Sequence, residues 1–326
     1  MNGNLSSTPE FDHWIAAWLA HQRALGRDYN GEEWVLRHLR RFVANIPASD
    51  LDGAGFEFWC NSFQHLSNTT RRMRQLIVRK FCLYRQRSEP NCFVPNPLYF
   101  ARWRPYRNPV IITPEQIAQM CIAADSLAPE PGSPLLPMVA RLAIVILYTA
   151  GLRRGELVRL TLDDVESRTG ILRIRESKFH KSRLVPLSPD AGDELRVYLR
   201  HRLAPPFDTR GHAPLLCNGK GMGHGYTGAG LGQAINRLFL TAKIVDSEGR
   251  RPRVHDVRHS FAVEALMRWY REGADVQSSL PRLAMYMGHV SIVSTAHYLH
   301  FVPAMREIAS DRFQAACGDL IKELTT

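Results

Sequence analysis

Apolar side chains recur at Phe11, Trp14, Ile15, Trp18 and Leu19, the three-then-four spacing that gathers them on one face of a helix over about 11–25. The pattern returns over 32–46, with Trp34, Val35, Leu39, Phe42, Val43 and Ile46 on the apolar side. A third predicted helix spans about 69–87, where Met73, Leu76, Ile77, Phe81 and Tyr84 form the stripe. Its other positions carry Arg71, Arg72, Arg74, Arg79, Lys80, Arg85 and Arg87, with no acidic residue between the first and the last. A solvated helix face normally mixes both signs, and like charges repel unless something anionic lies against them. That helix is therefore expected to contact phosphates through Arg71, Arg72, Arg74, Arg79 and Lys80.

Residues 90–109 hold five prolines together with Arg102, Arg104 and Arg107. Proline-rich sequence between two helical regions predicts a linker, placed at 101–112, whose arginines track a nucleic-acid backbone. Beyond it, Thr113-Pro-Glu-Gln116 has the form of a helix start, with Thr as cap and Pro in the first turn. An apolar helix follows at about 135–150 and ends at Gly151. Residues 171–176 and 183–187 read as two short strands joined by a turn at 177–182. From 230 onward the pattern is mostly helical again. No internal repeat or low-complexity tract occurs. The chain is expected to be mainly α-helical with a small antiparallel sheet, divided into an N-terminal helical domain at 1–100, the linker, and a larger domain at 113–326.

Of the 326 residues 45% are hydrophobic, enough to fill ordinary cores and to exclude wholesale disorder, and the length favours two domains over one. Lys and Arg number 42 against 31 Asp and Glu, a net charge of +11 that points to a polyanion, with DNA or RNA ahead of an acidic membrane surface. The first 110 residues carry 15 basic and 9 acidic side chains and the remaining 216 carry 27 and 22, so the smaller part is the more basic per residue. Six scattered cysteines without a Cys-x-x-Cys pair suggest neither a zinc ribbon nor a disulfide scaffold. The first 14 residues lack the features of a secretory signal. The longest apolar stretch, 142–152, is too short to span a bilayer and is bracketed by Arg141 and Arg153. A soluble protein of a reducing compartment is expected.

Two motifs are set aside. The glycine-rich run 219–225 has no strand before it and no Gly-Lys-Ser/Thr at its end, so it reads as a mobile loop rather than a nucleotide-binding one. His255 and His259 have the spacing of helical zinc ligands but lack the glutamate of a metalloprotease motif. The remaining candidates are cationic. Thr149-Ala-Gly-Leu-Arg153-Arg-Gly-Glu156-Leu157 follows the apolar helix, and Ser177-Lys178-Phe-His-Lys-Ser-Arg-Leu-Val-Pro-Leu187 forms the hairpin. His255-Asp-Val-Arg258-His-Ser-Phe261 opens a helix; Met287-Gly-His289 comes next, with Tyr298 nine residues after the histidine. His-x-x-Arg alone means little, since it also occurs at His38/Arg41 and His180/Arg183. The order of the whole set carries the signal.

In that order the sequence resembles the tyrosine recombinases, or phage-integrase family, over about 113–300. Residues 8–100 are similar, less specifically, to the family's helical core-binding domain. The resemblance implies a two-domain DNA clamp in which Arg153, Lys178, His255, Arg258 and His289 are the catalytic cations and hydrogen-bond donors, Tyr298 is the nucleophile and Glu156 supports the site. Many members flank the hairpin lysine with glycines where this chain has Ser177 and Phe179, which leaves Lys181 as a second candidate beside Lys178. Met287 stands where Leu is usual, a volume-conserving swap. Taken singly, Arg153 suits a helix C-terminus, Lys178 a hairpin turn, His289 a buried position and Tyr298 a core; together these would need six independent accidents in family order.

The chemistry fits those residue types. A phosphodiester under attack gathers charge on its non-bridging oxygens, which two guanidiniums bind in planar, bidentate fashion. A tyrosine of pKa near 10 needs a base or a positive environment to attack. His255 suits the base, His289 a donor to a non-bridging oxygen, and Lys178 the general acid for the departing 5′ oxygen. No metal, ATP or other cofactor is implied. The resemblance further implies two double-stranded DNA recombination sites held by a homo-tetramer, an accessory directionality protein in some systems, and a cytoplasmic, nucleoid-associated place in a bacterium, the gene belonging to a mobile element. The amphipathic tail at 302–324 fits either an arm docked on a neighbouring protomer or packing on its own domain. Rival readings are a type IB topoisomerase, a degenerate DNA-binding protein, and a metal-dependent transposase or nuclease, the last lacking clustered carboxylates among these motifs.

Overall fold

The computed structural model describes residues 8–44, 50–103, 107–177, 181–219, 224–289, 291–296, 298 and 299. Arg104, Lys178 and the tail expected to be helical at 302–324 lie outside them. The chain divides into two compact units, Met1–Arg107 and Asn108–Thr326.

Among its described residues the first unit holds four α-helices, α1 (Thr8–Ala24), α2 (Asn30–Val43), α3 (Gly53–Asn61) and α4 (Asn68–Arg85), and a single 3-10 turn at Pro97–Tyr99. Sequence periodicity anticipates α1, α2 and α4 but not α3, which is short and opens on two glycines; Asp52 caps it by accepting from Gly55 N at 2.7 Å. Trp18, Leu36, Leu39, Trp59, Phe63, Val78 and Phe81 form the core, each at most 2% exposed. The inward face of α4 differs from the expected stripe. Gln75, Val78, Phe81, Cys82 and Arg85 are buried, whereas Met73 is 53% exposed. Arg85 explains the shift. Its guanidinium reaches both oxygens of Asp50, at 2.9 and 2.8 Å, and Glu89 at 2.9 Å, so acidic residues from outside the helix neutralise one of the seven charges. The proline-rich stretch is not free chain: Phe100 is 5% exposed in this core, and Arg72 and Arg79 donate to the carbonyls of Ala101 and Pro95.

The second unit contains α5 (Pro114–Asp125), α6 (Leu136–Thr149), α7 (Arg154–Arg159), β1 (Val165–Glu166), β2 (Ile171–Ser177), β3 (Lys181–Pro186), α8 (Pro189–Arg202), β4 (Cys217–Asn218), β5 (His224–Gly225), α9 (Gly228–Thr241), α10 (Val254–Arg271), α11 (Val276–Met287) and α12 (Val293–Ala296). The strands β1-β2-β3 form one antiparallel sheet in that order, and β4 pairs with β5 in a second. The β4–β5 pair brackets the glycine-rich run, a feature the glycines conceal in the sequence. Helix α6 is apolar almost all round, and a helix of that kind must be enclosed. Leu142, Ala143, Ile144, Ile146 and Leu147 are all at most 1% exposed, with α5, α8, α9 and α10 packed around them. At about 1.5–3 kcal/mol for each fully buried large aliphatic side chain, this helix is the anchor from which the site is built. Among the described residues no helix is long and apolar enough to cross a membrane.

Candidate active site

Helix α6 ends in Gly151 at φ +59°, a conformation that turns the chain sharply and that glycine adopts without strain. A Cβ there would also collide with the Phe261 ring. The turn delivers Arg153 to the start of α7, where Glu156 accepts from Arg153 N at 2.9 Å and from Arg153 Nη1 at 2.8 Å. Helix α10 opens in a similar way. Asp256, fully buried, accepts from Arg253 N at 2.9 Å and Arg253 Nη2 at 2.8 Å, so it organises the helix start rather than the reaction centre. One turn of helix then brings His255, Arg258 and His259 together. Ser260, behind them, accepts from Ile112 N at 2.8 Å.

The third element is the end of α11. Gly288, at φ +69°, forms its left-handed cap, and three successive carbonyls at this terminus each receive a different arginine. Tyr286 O accepts from Arg183 Nε at 2.8 Å, Met287 O from Arg258 Nη2 at 2.8 Å and Gly288 O from Arg153 Nη2 at 2.9 Å. A helix C-terminus offers unpaired carbonyls and a negative dipole end, which suits cations. Arg258 also donates to Gly151 O, which ties the α6 turn to the α11 cap.

Glu156 is 3% exposed and is the carboxylate of the cluster. Besides Arg153 it binds Arg183 through both oxygens, at 3.1 and 3.0 Å, and lies 3.9 Å from Arg258. Burial pushes its carboxyl up, but the hydrogen bonds from Arg183 and Arg153 outweigh that and hold it down at about 2. Burial, reinforced by Arg153, lowers Arg258 to about 10. His289 binds Thr295 Oγ1 through Nδ1 at 2.7 Å; burial and then the nearby Arg258, Arg153 and Arg183 push it down to about 4. His259 falls to about 4 through burial and the neighbouring His255, and loss of surrounding water together with Arg258 lowers His255. His259 and His289 are therefore neutral at pH 7. Tyr298 is 3% exposed, its ring stacked 6.1 Å from His289 and edge-on 5.3 Å from His259, within an apolar cluster that includes Leu266, Leu283 and Met287.

The sequence candidates Arg153, Glu156, His255, Arg258, His289 and Tyr298 thus come together from α6, α7, α10, α11 and the segment after α12. Lys178 lies outside the described residues. Arg183 is absent from the candidates read from sequence, yet it binds Glu156 and the α11 cap. Its signal is the two-residue period of β3, which puts it on the same side as the fully buried Val185. An open groove of about 500 Å³ beside the cluster is lined by Arg153, Arg154, Asn236, Arg253 and His255. Arg154 lies against Gly228 and Gly232 of α9, where a Cβ on Gly232 would meet its Nη1 at 2.6 Å, and no carboxylate among the described residues pairs with it.

The basic residues of the first unit have mixed surroundings. Lys80, Arg102 and Arg107 are exposed, while Arg71, Arg72, Arg74 and Arg79 are half-buried. Arg74 sits 4.6 Å above the Trp34 ring and 5.2 Å from Phe63, and burial lowers its pKa.

The sequence profile of the phage integrase family matches residues 111–304. A Sinorhizobium fredii protein named as an integrase/recombinase, y4rE, is 31% identical over 302 residues, 91% of this chain and 94% of its own length. The tyrosine recombinase XerD of Ralstonia nicotianae is 29% identical over 235 residues, 72% of this chain and 70% of that protein. Among solved structures, the Tn1549 transposon integrase with transposon right-end DNA covers 94% of this chain and 98% of its own at TM-score 0.61 and 17% identity. The XerH recombinase on its difH substrate, after cleavage, covers 87% and 79% at TM-score 0.60 and 18% identity.

Proposed function

This chain belongs to the phage integrase family, and from that premise we propose that Tyr298 is the nucleophile of its reaction, with Arg153, Lys178, His255, Arg258 and His289 completing the catalytic set. The protein is a site-specific DNA recombinase of the tyrosine class, acting by breaking and rejoining DNA strands. The Tyr298 oxygen attacks the scissile phosphorus, forming a 3′-phosphotyrosyl bond as the bond to the 5′ oxygen breaks. His255 takes the phenol proton, and Lys178 gives one to the departing 5′ oxygen. Arg153 and Arg258 bind the non-bridging oxygens, their guanidiniums held in advance by the carbonyls of Gly151, Met287 and Gly288. Neutral His289 donates to the same oxygens. The 5′-hydroxyl of a second strand then attacks the phosphotyrosine, so bond energy passes from one ester to the next and no ATP is used.

The observation that supports this most is the gathering of Arg153, His255, Arg258 and His289 about Tyr298, from motifs spread over 146 positions of sequence. The first unit is read as the core-binding domain, gripping DNA through Arg71, Arg72, Arg74, Arg79, Lys80, Arg102, Arg104 and Arg107. Four protomers would join two recombination sites of a bacterial mobile element in the cytoplasm, with a directionality protein as an added partner. The test uses a nicked suicide DNA carrying a site sought beside the gene, with wild type and Tyr298→Phe in EDTA. A DNA–protein adduct on a denaturing gel that is lost in Tyr298→Phe supports the reading. An adduct that persists in the variant shows another nucleophile, and wild-type binding without an adduct refutes catalysis by this chain alone.

A further inference from the structure

Three guanidiniums end on the carbonyls of residues 286, 287 and 288, and only two of them, Arg153 and Arg258, have a part in the proposed chemistry. The third, Arg183, has a side chain 11% exposed and no part in that chemistry. Its three nitrogens all point into protein: Nη1 and Nη2 to the two oxygens of Glu156, and Nε to Tyr286 O. Arg153 shares the first of these partners and anchors on the same helix end as the second, binding Glu156 through Nη1 and the carbonyl of Gly288, two residues past Tyr286, through Nη2. Building on the recombinase reading, we propose that Arg183 is a positioning residue that fixes Glu156 and the α11 cap together and so sets the angle at which Arg153 and His289 face the scissile phosphate.

Three features of the geometry carry this. A carboxylate held from one side can rotate about its terminal torsion; one gripped by a planar fork at both oxygens cannot do so without breaking a bond. With Arg183 in place, each Glu156 oxygen receives one donor from Arg183 and one from Arg153. Second, this guanidinium packs closely on the cap, where a Cβ on Gly288 would lie 2.7 Å from Arg183 Nη1. Third, Arg183 stands on β3, so its grip also ties that strand to the arginine cluster. Lysine could supply the charge but not the fork.

The test measures single-turnover adduct formation at saturating suicide DNA, and DNA affinity separately, for the full chain and for Arg183→Met, Arg183→Lys, Glu156→Gln and the double variant Arg183→Met/Glu156→Gln. A misplacement of catalytic groups by about 1 Å costs roughly 10²-fold in rate, and that loss is expected for Arg183→Met with DNA affinity unchanged. Arg183→Lys, which keeps the charge and guards against a variant that fails to fold, is expected to be slower by at least about tenfold, as loss of an orienting partner usually is. Because both residues act through one bridge, the double variant should be no slower than the slower single one. Wild-type rates in Arg183→Met or Arg183→Lys, losses that multiply in the double variant, or a loss confined to DNA affinity would each overturn the proposal. Failure of the parent reading is seen separately, as an adduct unaffected by Tyr298→Phe.

Discussion

Replacing Glu156 with glutamine keeps the shape of the side chain and removes its charge from a nearly closed pocket that holds Arg153, Arg183 and Arg258. Each tenfold change in proton affinity is worth about 1.4 kcal/mol. A carboxyl lowered from 4.5 to about 2 therefore stabilises the folded catalytic unit by about 3 kcal/mol at neutral pH. The folded-state pKa is the lower one, so this stability is present above about pH 4.5 and is lost as the pH falls toward 2. Glu156→Gln should lower the melting temperature of the larger unit by about 6–12 °C at pH 7, taking roughly 2–4 °C per kcal/mol for a domain of this size. At pH 3 wild type retains about half of the contribution, so the gap between the proteins should shrink in proportion. Calorimetric scans of both proteins at pH 7, 5, 4 and 3 test this. An equal gap at every pH, or none at pH 7, would refute the claim that the charge of Glu156 holds the cluster together.

Gly151→Ala forces a side chain into the left-handed region and against the Phe261 ring. It should cost about 2 kcal/mol or more, seen as a lower urea midpoint; an unchanged midpoint would mean that the turn is built differently. Arg154→Ala should weaken binding to any DNA duplex and lower the slope of log affinity against log salt by about one, since a guanidinium beside the groove that no carboxylate among the described residues neutralises is placed to take one phosphate. A slope equal to wild type removes Arg154 from the DNA contact. His259 and His289 should titrate near pH 4 by NMR, and stability should decline as the pH drops from about 6.5 to about 4, because the unfolded chain binds those protons first. Midpoints near 6.5 would show that the rings are solvated.

Much of this arrangement was legible in the linear chain. The apolar period marks α1, α2 and α4, the alternation marks β2 and β3, and the order of the cationic motifs names most of the cluster before any coordinates exist. What escaped was set by tertiary partners. Arg85 reads as one more positive charge until Asp50, thirty-five residues earlier, proves to be its mate, and that burial turns α4 away from the face its apolar residues suggest. Arg183 escaped because its partners lie 27 and 103 residues away, and a strand's alternation says only that a side chain points inward, not what it meets there. The helix α3 and the β4–β5 pair were hidden by glycines, whose propensity argues against the elements that packing imposes.

In the arginine cluster, one carboxylate answers three guanidiniums, and the depressed pKa of Arg258 records how poorly the interior tolerates the surplus. Arg258 exchanged for a methionine would relieve one positive charge but strand the buried carbonyls of Gly151 and Met287, so the surplus charge is tolerated because those carbonyls hold it. Conversely, any dianion that settles among these side chains relieves their repulsion, so the melting point of the unmodified protein serves as a gauge of occupancy, rising with phosphate or sulfate before a single DNA site has been identified.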